Sequence, residues 1–219
     1  MGIFVYGASG HAKVVLDILR KNKCDIAGFF DDNKSLWGDH FLGHKIWSIE
    51  DLPIESMKGS SPKHCEIFLA IGDNVTRKRI AKKVSDKQYC YLYGSSIEHP
   101  SAQVDNLIFG KGTISMANVV VNIGSKIGSQ VILNTGCTVD HDCIIEDYVH
   151  LSPGVHLAGN VHVGEGAHLG VGVNVIPGIK IGAWSTIGAG AAVVDHIPPY
   201  STAVGVPARV IKTHESNKE

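Results

Sequence analysis

Through the second half of the chain an aliphatic residue recurs at every sixth position. The series is Val121, Ile127, Leu133, Val139, Ile145, Leu151, Leu157, Val163, Leu169, Val175, Ile181, Ile187 and Val193, all in one register. A helix repeats at 3.6 residues and an alternating strand at two, so neither explains the pattern. Four places after the aliphatic residue stand small or β-branched side chains, among them Val131, Cys137, Cys143, Val149, Val155, Val161, Ala167, Val173 and Ala191. Directly after it comes glycine or a small polar residue, as in Gly128, Asn134, Gly164, Gly170, Gly182 and Gly188. This period predicts a parallel β-helix, in which each hexad supplies a short strand and a turn and three hexads close a triangular coil. The aliphatic side chain fills the prism, and coils stack because one coil alone cannot bury that face. Ile108, Ile114 and Val120 stand one residue out of step. They predict a first coil joined to the main run by a one-residue slip.

The first half follows another pattern. Ile3-Phe4-Val5-Tyr6 reads as a buried strand, followed by Gly7-Ala8-Ser9-Gly10-His11 and a helical pattern with Val14, Val15, Ile18 and Leu19 on one face. A second strand, 26–30, ends at Asp31-Asp32. A third, 66–71, ends at Gly72-Asp73-Asn74 and leads into a helix carrying Val75, Ile80 and Val84. Strands alternating with helices predict a small parallel sheet. Ligands bind such sheets at the carboxyl ends of the strands, where all three polar turns lie. The turn before the first helix favours an anion through its free N–H groups and the helix dipole. The stretch 33–63 has no sustained period and ends in a breaker cluster, so it predicts loops and short strands. The pattern changes near Pro100, which divides the chain into a domain over 1–98 and another over 99–219.

Composition adds exclusions. The 20 basic and 21 acidic residues nearly balance, and no basic patch suits a nucleic acid. No run of 18 apolar residues predicts a membrane span. Five cysteines without a CxxC pair read as free thiols in a reducing compartment. The N-terminus enters a strand with no signal-peptide pattern, so the expected location is the cytoplasm.

Candidate chemistry centres on Asn134-Thr135-Gly136-Cys137-Thr138-Val139-Asp140-His141-Asp142. His141 falls at a turn, outside the prism, and an imidazole near its ordinary pKa suits proton transfer at neutral pH. Asp140 and Asp142 flank it, and either carboxylate is a candidate support. His150, His156, His162 and His168 recur every six residues, each just before an inward aliphatic residue, so they point outward. Stacking at 18-residue intervals pairs His150 with His168, Val171 with Ala189, and His141 with Gly159. Solvated surface is the expectation for His156 and His162.

The hexads VGEGAH, LGVGVN, IGAWST and IGAGAA, with the ending Gly205-Val206-Pro207-Ala208-Arg209-Val210-Ile211, resemble the hexapeptide-repeat acyltransferases. Together with the GASGH segment, the whole chain resembles the sialic acid O-acetyltransferase and UDP-bacillosamine-pathway N-acetyltransferase family. That resemblance implies a left-handed β-helix behind a Rossmann-like βαβ domain, and a homotrimer with active sites in the clefts between prisms. It implies acetyl-CoA as co-substrate and no metal. It assigns the base to His141 and its support to Asp142, where many relatives carry glutamate. It assigns the nucleotide-sugar to Ser9, Gly10, His11, Asp31, Asp32 and Gly72, and acetyl-CoA to Asn134, His150, Val171 and Ala189. The implied reaction is N-acetylation of a UDP-4-amino-4,6-dideoxy sugar. Alternatives are a GDP-linked amino sugar or a sialic acid hydroxyl. Some trimeric β-helices are zinc carbonic anhydrases, which the histidines keep open as a different class.

Overall fold

The computed structural model describes residues 2–51, 65–86, 90–92, 96–104 and 109–215. It forms two compact units, Met1–Gly94 and Ser95–Glu219. The division falls a little before the 98/99 boundary read from the sequence, because strand Ile97–Glu98 already pairs with Ile114–Ser115 inside the β-helix.

The N-terminal unit contains β1 (Ile3–Tyr6), α1 (Gly10–Lys21), β2 (Ile26–Phe30), β3 (His40–Phe41), β4 (His44–Trp47), β5 (Cys65–Leu69), α2 (Asn74–Ser85) and β6 (Cys90–Leu92). Its sheet runs β3-β4-β2-β1-β5-β6. All neighbours are parallel except β3 with β4, which form a hairpin. The chain leaves β1 toward β2 on one side and returns to β5 on the other. The turns after β1 and β5 therefore flank the point where strand order reverses, the usual ligand crevice of an open α/β sheet. β1 is buried along its length, and the Phe4 and Phe30 rings stack at 4.7 Å.

Both helices differ in detail from their sequence patterns. α1 buries Ala12, Val15, Leu16, Ile18 and Leu19, while Val14 is exposed. α2 buries Asn74, Arg77, Ile80, Ala81 and Val84, while Val75 faces outward. Apolar character misleads at 75 because that position lies off the buried stripe. Arg77 is buried instead, donating to the carbonyls of Ile71 and Gly72 and to Asn74 Oδ1. Hairpin β3–β4 lies in the stretch 33–63 read as loops and short strands, whose residues 52–63 are outside the described ones.

The C-terminal unit is a parallel β-helix of two-residue strands, followed by the antiparallel pair Ser201–Val204 and Arg209–Thr213. All thirteen aliphatic positions are buried. The small series is buried behind them, and burial pushes the Cys137 thiol up to about 12. Strands pair at 18-residue spacing, for example Ile132↔His150 and Leu133↔Leu151. Burying each of these aliphatic side chains is worth about 1.5–3 kcal/mol.

The one-residue slip exists, but at another place. Ile114 pairs with Ile132 and Ser115 with Leu133, so Ser115 holds the inward slot and Ile114 the outward one. Val120 is likewise outward, opposite Thr138. The spacing is 17 at Val104↔Val121 and 18 at Phe109↔Ile127, so the slip falls between Val104 and Phe109. Ile108 lies outside the described residues. The expectation failed because buried Ile114 was read as inward; it is buried on the outer side of its strand.

Two kinds of glycine shape the coils. Three places after each inward residue the backbone enters the left-handed region, from Gly112 through Asn118, Gly124 and Gln130 to Gly190. There glycine relieves strain that Tyr148 and Trp184 tolerate at φ 60° and 57°. One place after the inward residue glycine is needed for space: a Cβ on Gly164 would come within 2.6 Å of the Ala183 nitrogen in the next coil.

Candidate active site

His141 follows strand Thr138–Val139 on a turn, half exposed. Asp142 adopts φ 58°, the left-handed conformation that recurs one coil on either side at Gly124 and Asn160. That turn brings its carboxylate back to the imidazole, and His141 Nδ1–H donates to Asp142 Oδ2 at 2.9 Å. Asp140 is engaged elsewhere: one oxygen accepts from Asn122 Nδ2 at 2.9 Å and from the His141 backbone N–H at 2.8 Å. These bonds lower the Asp140 pKa. The hydrogen bond to Asp142, followed by the charges of Asp140 and Asp142, raises that of His141. The ring lies over Gly159, the residue one coil on.

The four acetyl-CoA candidates gather along a different sheet. Asn134 ends strand Ile132–Leu133, and His150 belongs to the next strand, His150–Leu151; their side chains meet at 3.3 Å. Val171 and Ala189 follow strands His168–Leu169 and Thr186–Ile187 of the same sheet, and both are exposed. The rings of His150 and His168 stack at 4.8 Å, and His168 Nε2 meets Ser152 Oγ at 3.0 Å. His156 is exposed, beside Thr138 Oγ1 at 2.8 Å. His162 is more than solvated surface: Nε2 reaches Glu146 Oε1 at 2.7 Å, in a part-buried pair. Burial opposes the Glu146 charge, but the bonds from His162 and the Glu165 N–H lower its pKa. Among the described residues no group of three or more His, Cys, Asp or Glu side chains has metal-holding geometry.

In the N-terminal unit the candidates cluster at the strand ends. Ser9 begins α1 with an extended backbone and makes no side-chain cap, so its hydroxyl does not occupy the helix N-terminus. Asp31 accepts from Ala8 N–H at 2.9 Å and from Asn33 N–H at 2.8 Å, which ties the turn after β1 to the end of β2. Asp32 Oδ1 accepts from Tyr6 Oη–H at 2.6 Å and Lys83 Nζ at 2.8 Å. Burial opposes the Asp32 charge, while those bonds lower its pKa; burial and Asp32 push the Tyr6 hydroxyl upward. Burial and the charge of Arg77 hold His11 down to about 4, so its imidazole is neutral at neutral pH. An added Cβ would meet nothing within 4 Å at Gly10 or Gly72, and neither has positive φ. Sequence reading missed Tyr6, Arg77 and Lys83. The first was absorbed into an apolar run, and the other two into a helix described only by Val75, Ile80 and Val84.

Comparison with known proteins places these features. The PglD N-terminal domain family matches residues 2–84. The crystal structure of PerB from Caulobacter crescentus in complex with CoA and GDP-perosamine superposes with TM-score 0.85 and 38% identity, over 97% of this chain and 98% of that one. The chain belongs to the left-handed β-helix acyltransferases of the nucleotide-amino-sugar N-acetyltransferase family. The acetyltransferase domain of PglB from Neisseria gonorrhoeae FA1090, in complex with acetyl coenzyme A, matches with TM-score 0.81 and 31% identity, over 96% of this chain and 98% of that one. The GDP-perosamine N-acetyltransferase of Escherichia coli O157:H7 is 29% identical over 159 residues, 68% of this chain. The matched segment spans 66% of that enzyme's length, and in another curated relative, protein L142 of Acanthamoeba polyphaga mimivirus, 23%. CoA and acetyl coenzyme A are the ligands of PerB and of the PglB domain, and the hand of the β-helix in this family is left. No described helix is long and apolar enough to cross a membrane.

Proposed function

We propose that this acyltransferase N-acetylates the amino group of a nucleotide-linked 4-amino-4,6-dideoxy sugar, with His141 as general base. The observation that carries the reading is the His141–Asp142 hydrogen bond on a rigid turn of the β-helix. Nδ1–H is engaged by Asp142, which leaves Nε2 to take a proton. The neutral amine attacks the thioester carbonyl of acetyl-CoA, and a C–N bond forms while Nε2 accepts the amine proton. The tetrahedral intermediate then expels CoA sulfur, which leaves with that proton as the C–S bond breaks. Asp142 holds the ring and stabilises the imidazolium.

The N-terminal unit binds the acceptor in this reading, through the turn Ser9-Gly10-His11, the carboxylates Asp31 and Asp32, and Gly72. Open space above Gly10 and Gly72 fits a ligand approaching their backbone. Asn134, His150, Val171 and Ala189 take acetyl-CoA. A GDP-linked sugar is favoured by the 38% identity to PerB. The UDP-linked sugar expected from sequence is the second reading. Release of free CoA, measured with GDP-perosamine, a UDP-4-amino-4,6-dideoxy sugar and a sialic acid as acceptors, tests the assignment. Turnover of the sialic acid alone would refute N-acetylation.

His141 and the acetyl-CoA candidates follow strands of two different sheets, and so belong to different corners of one prism. This separation supports a cyclic homotrimer in which one copy's edge faces another's. Light scattering at assay concentration is expected to give three chains; a fully active monomer would refute it.

A further inference from the structure

Among the residues two places after an inward aliphatic position, glycine occurs once. The series includes Ile123, Thr135, His141, Pro153, Gly159 and Pro177, and Gly159 sits one coil beyond His141. Its φ is outside the left-handed region, so backbone conformation does not require glycine there. Space does. A Cβ at 159 would lie 2.6 Å from His141 Cε1 and Nε2 and 3.2 Å from Cδ2. The nearest atoms it would meet all belong to that ring, whereas at Gly164, Gly170 and Gly182 the added Cβ strikes backbone.

We propose that Gly159 is a positioning residue for acetyl transfer, a shelf whose missing side chain lets the His141 imidazole lie flat against the next coil within reach of Asp142. The shelf acts through His141, and so rests on the reading of that residue as base. Its counterpart below the pair is Gly124, over which the Asp142 carboxylate folds. Gly124 also has φ +80°, so conformation and space are mixed there and Gly159 is the cleaner position. The obstruction at 159 is the far end of an exposed side chain, which swings aside without disturbing the coil. Glycine at this position therefore serves the ring and not the fold.

Gly159→Ala keeps every backbone group and forces the ring away. The titratable groups around His141 are Asp140, Asp142 and the inward Cys143 thiol, which donates to the His141 carbonyl and which burial keeps protonated; the neighbouring coils contribute Gly159 and Asn122, which do not titrate. With the ring displaced from Asp142, its titration moves to lower pH. The test follows the His141 Cε1 proton by NMR against pH in the full-length wild type and in Gly159→Ala, alongside Tm and steady-state kinetics. The expected result is an unchanged Tm, a lowered imidazole pKa, and a kcat reduced roughly 10-fold or more with little change in acetyl-CoA KM. An unmoved titration, a loss confined to acetyl-CoA KM, or a substantial fall in Tm would overturn the shelf. His141→Ala separates the two claims. If it is inactive while Gly159→Ala has wild-type kcat, only the shelf falls; if His141→Ala is fully active, the base assignment falls and the shelf with it.

Discussion

His141 differs from the other outward histidines of the helix by what the turn does next. The left-handed φ of Asp142 folds a short carboxylate back onto Nδ1. The sequence offered Asp140 and Asp142 on equal terms, because spacing alone does not say which side chain turns back. Asp140 is drawn to Asn122 one coil below, a contact that only stacking reveals. The Asp142 bond has a consequence for pH. It is the largest cause raising the His141 pKa, and a base works only when unprotonated. The activity should therefore fall as pH drops through a value above the ordinary imidazole pKa of about 6.5. Asp142→Asn removes that cause, so the acidic limb should shift to lower pH, with a smaller loss of kcat than His141→Ala. A kcat–pH profile of the variant checks this, and an unmoved limb would speak against Asp142 as the support.

At the scale of the element, the six-residue period was legible almost whole, because every inward slot from 121 to 193 is aliphatic and has one way to be buried. Legibility failed at the first coils, where Ser115 takes the inward slot. A polar residue there masks the register, and the apolar neighbours Ile114 and Val120 invite a wrong one. Ser115 Oγ is buried and finds no hydrogen-bond partner among the described residues. An unsatisfied buried hydroxyl costs about 1–3 kcal/mol, so Ser115→Ala should hold or raise Tm. Leu133→Ala, in the slot stacked on it, should instead cost about 2–5 kcal/mol through the cavity it leaves. Thermal denaturation of the two variants compares them directly; a marked loss of stability in Ser115→Ala would mean the hydroxyl is satisfied. The candidate nucleotide-sugar residues were legible as strand-end turns. Tyr6 and Lys83 were not, since their link through Asp32 joins residues far apart in sequence.

For the whole molecule, the proposed function divides the labour between an α/β unit that would hold the nucleotide-sugar and a β-helix that would hold acetyl-CoA and the base. The sequence carried the two architectures because each has its own period, and the relatives carry the donor. A base acts in the transition state and not in binding, so its loss lowers kcat more than it changes either KM. The most direct measurement is the rate of CoA release from acetyl-CoA and GDP-perosamine at neutral pH, wild type against His141→Ala, with both KM values. The expected result is turnover by the wild type and a kcat lower by roughly 10²–10⁴-fold in the variant, with modest changes in either KM. Near-wild-type kcat in His141→Ala would contradict it.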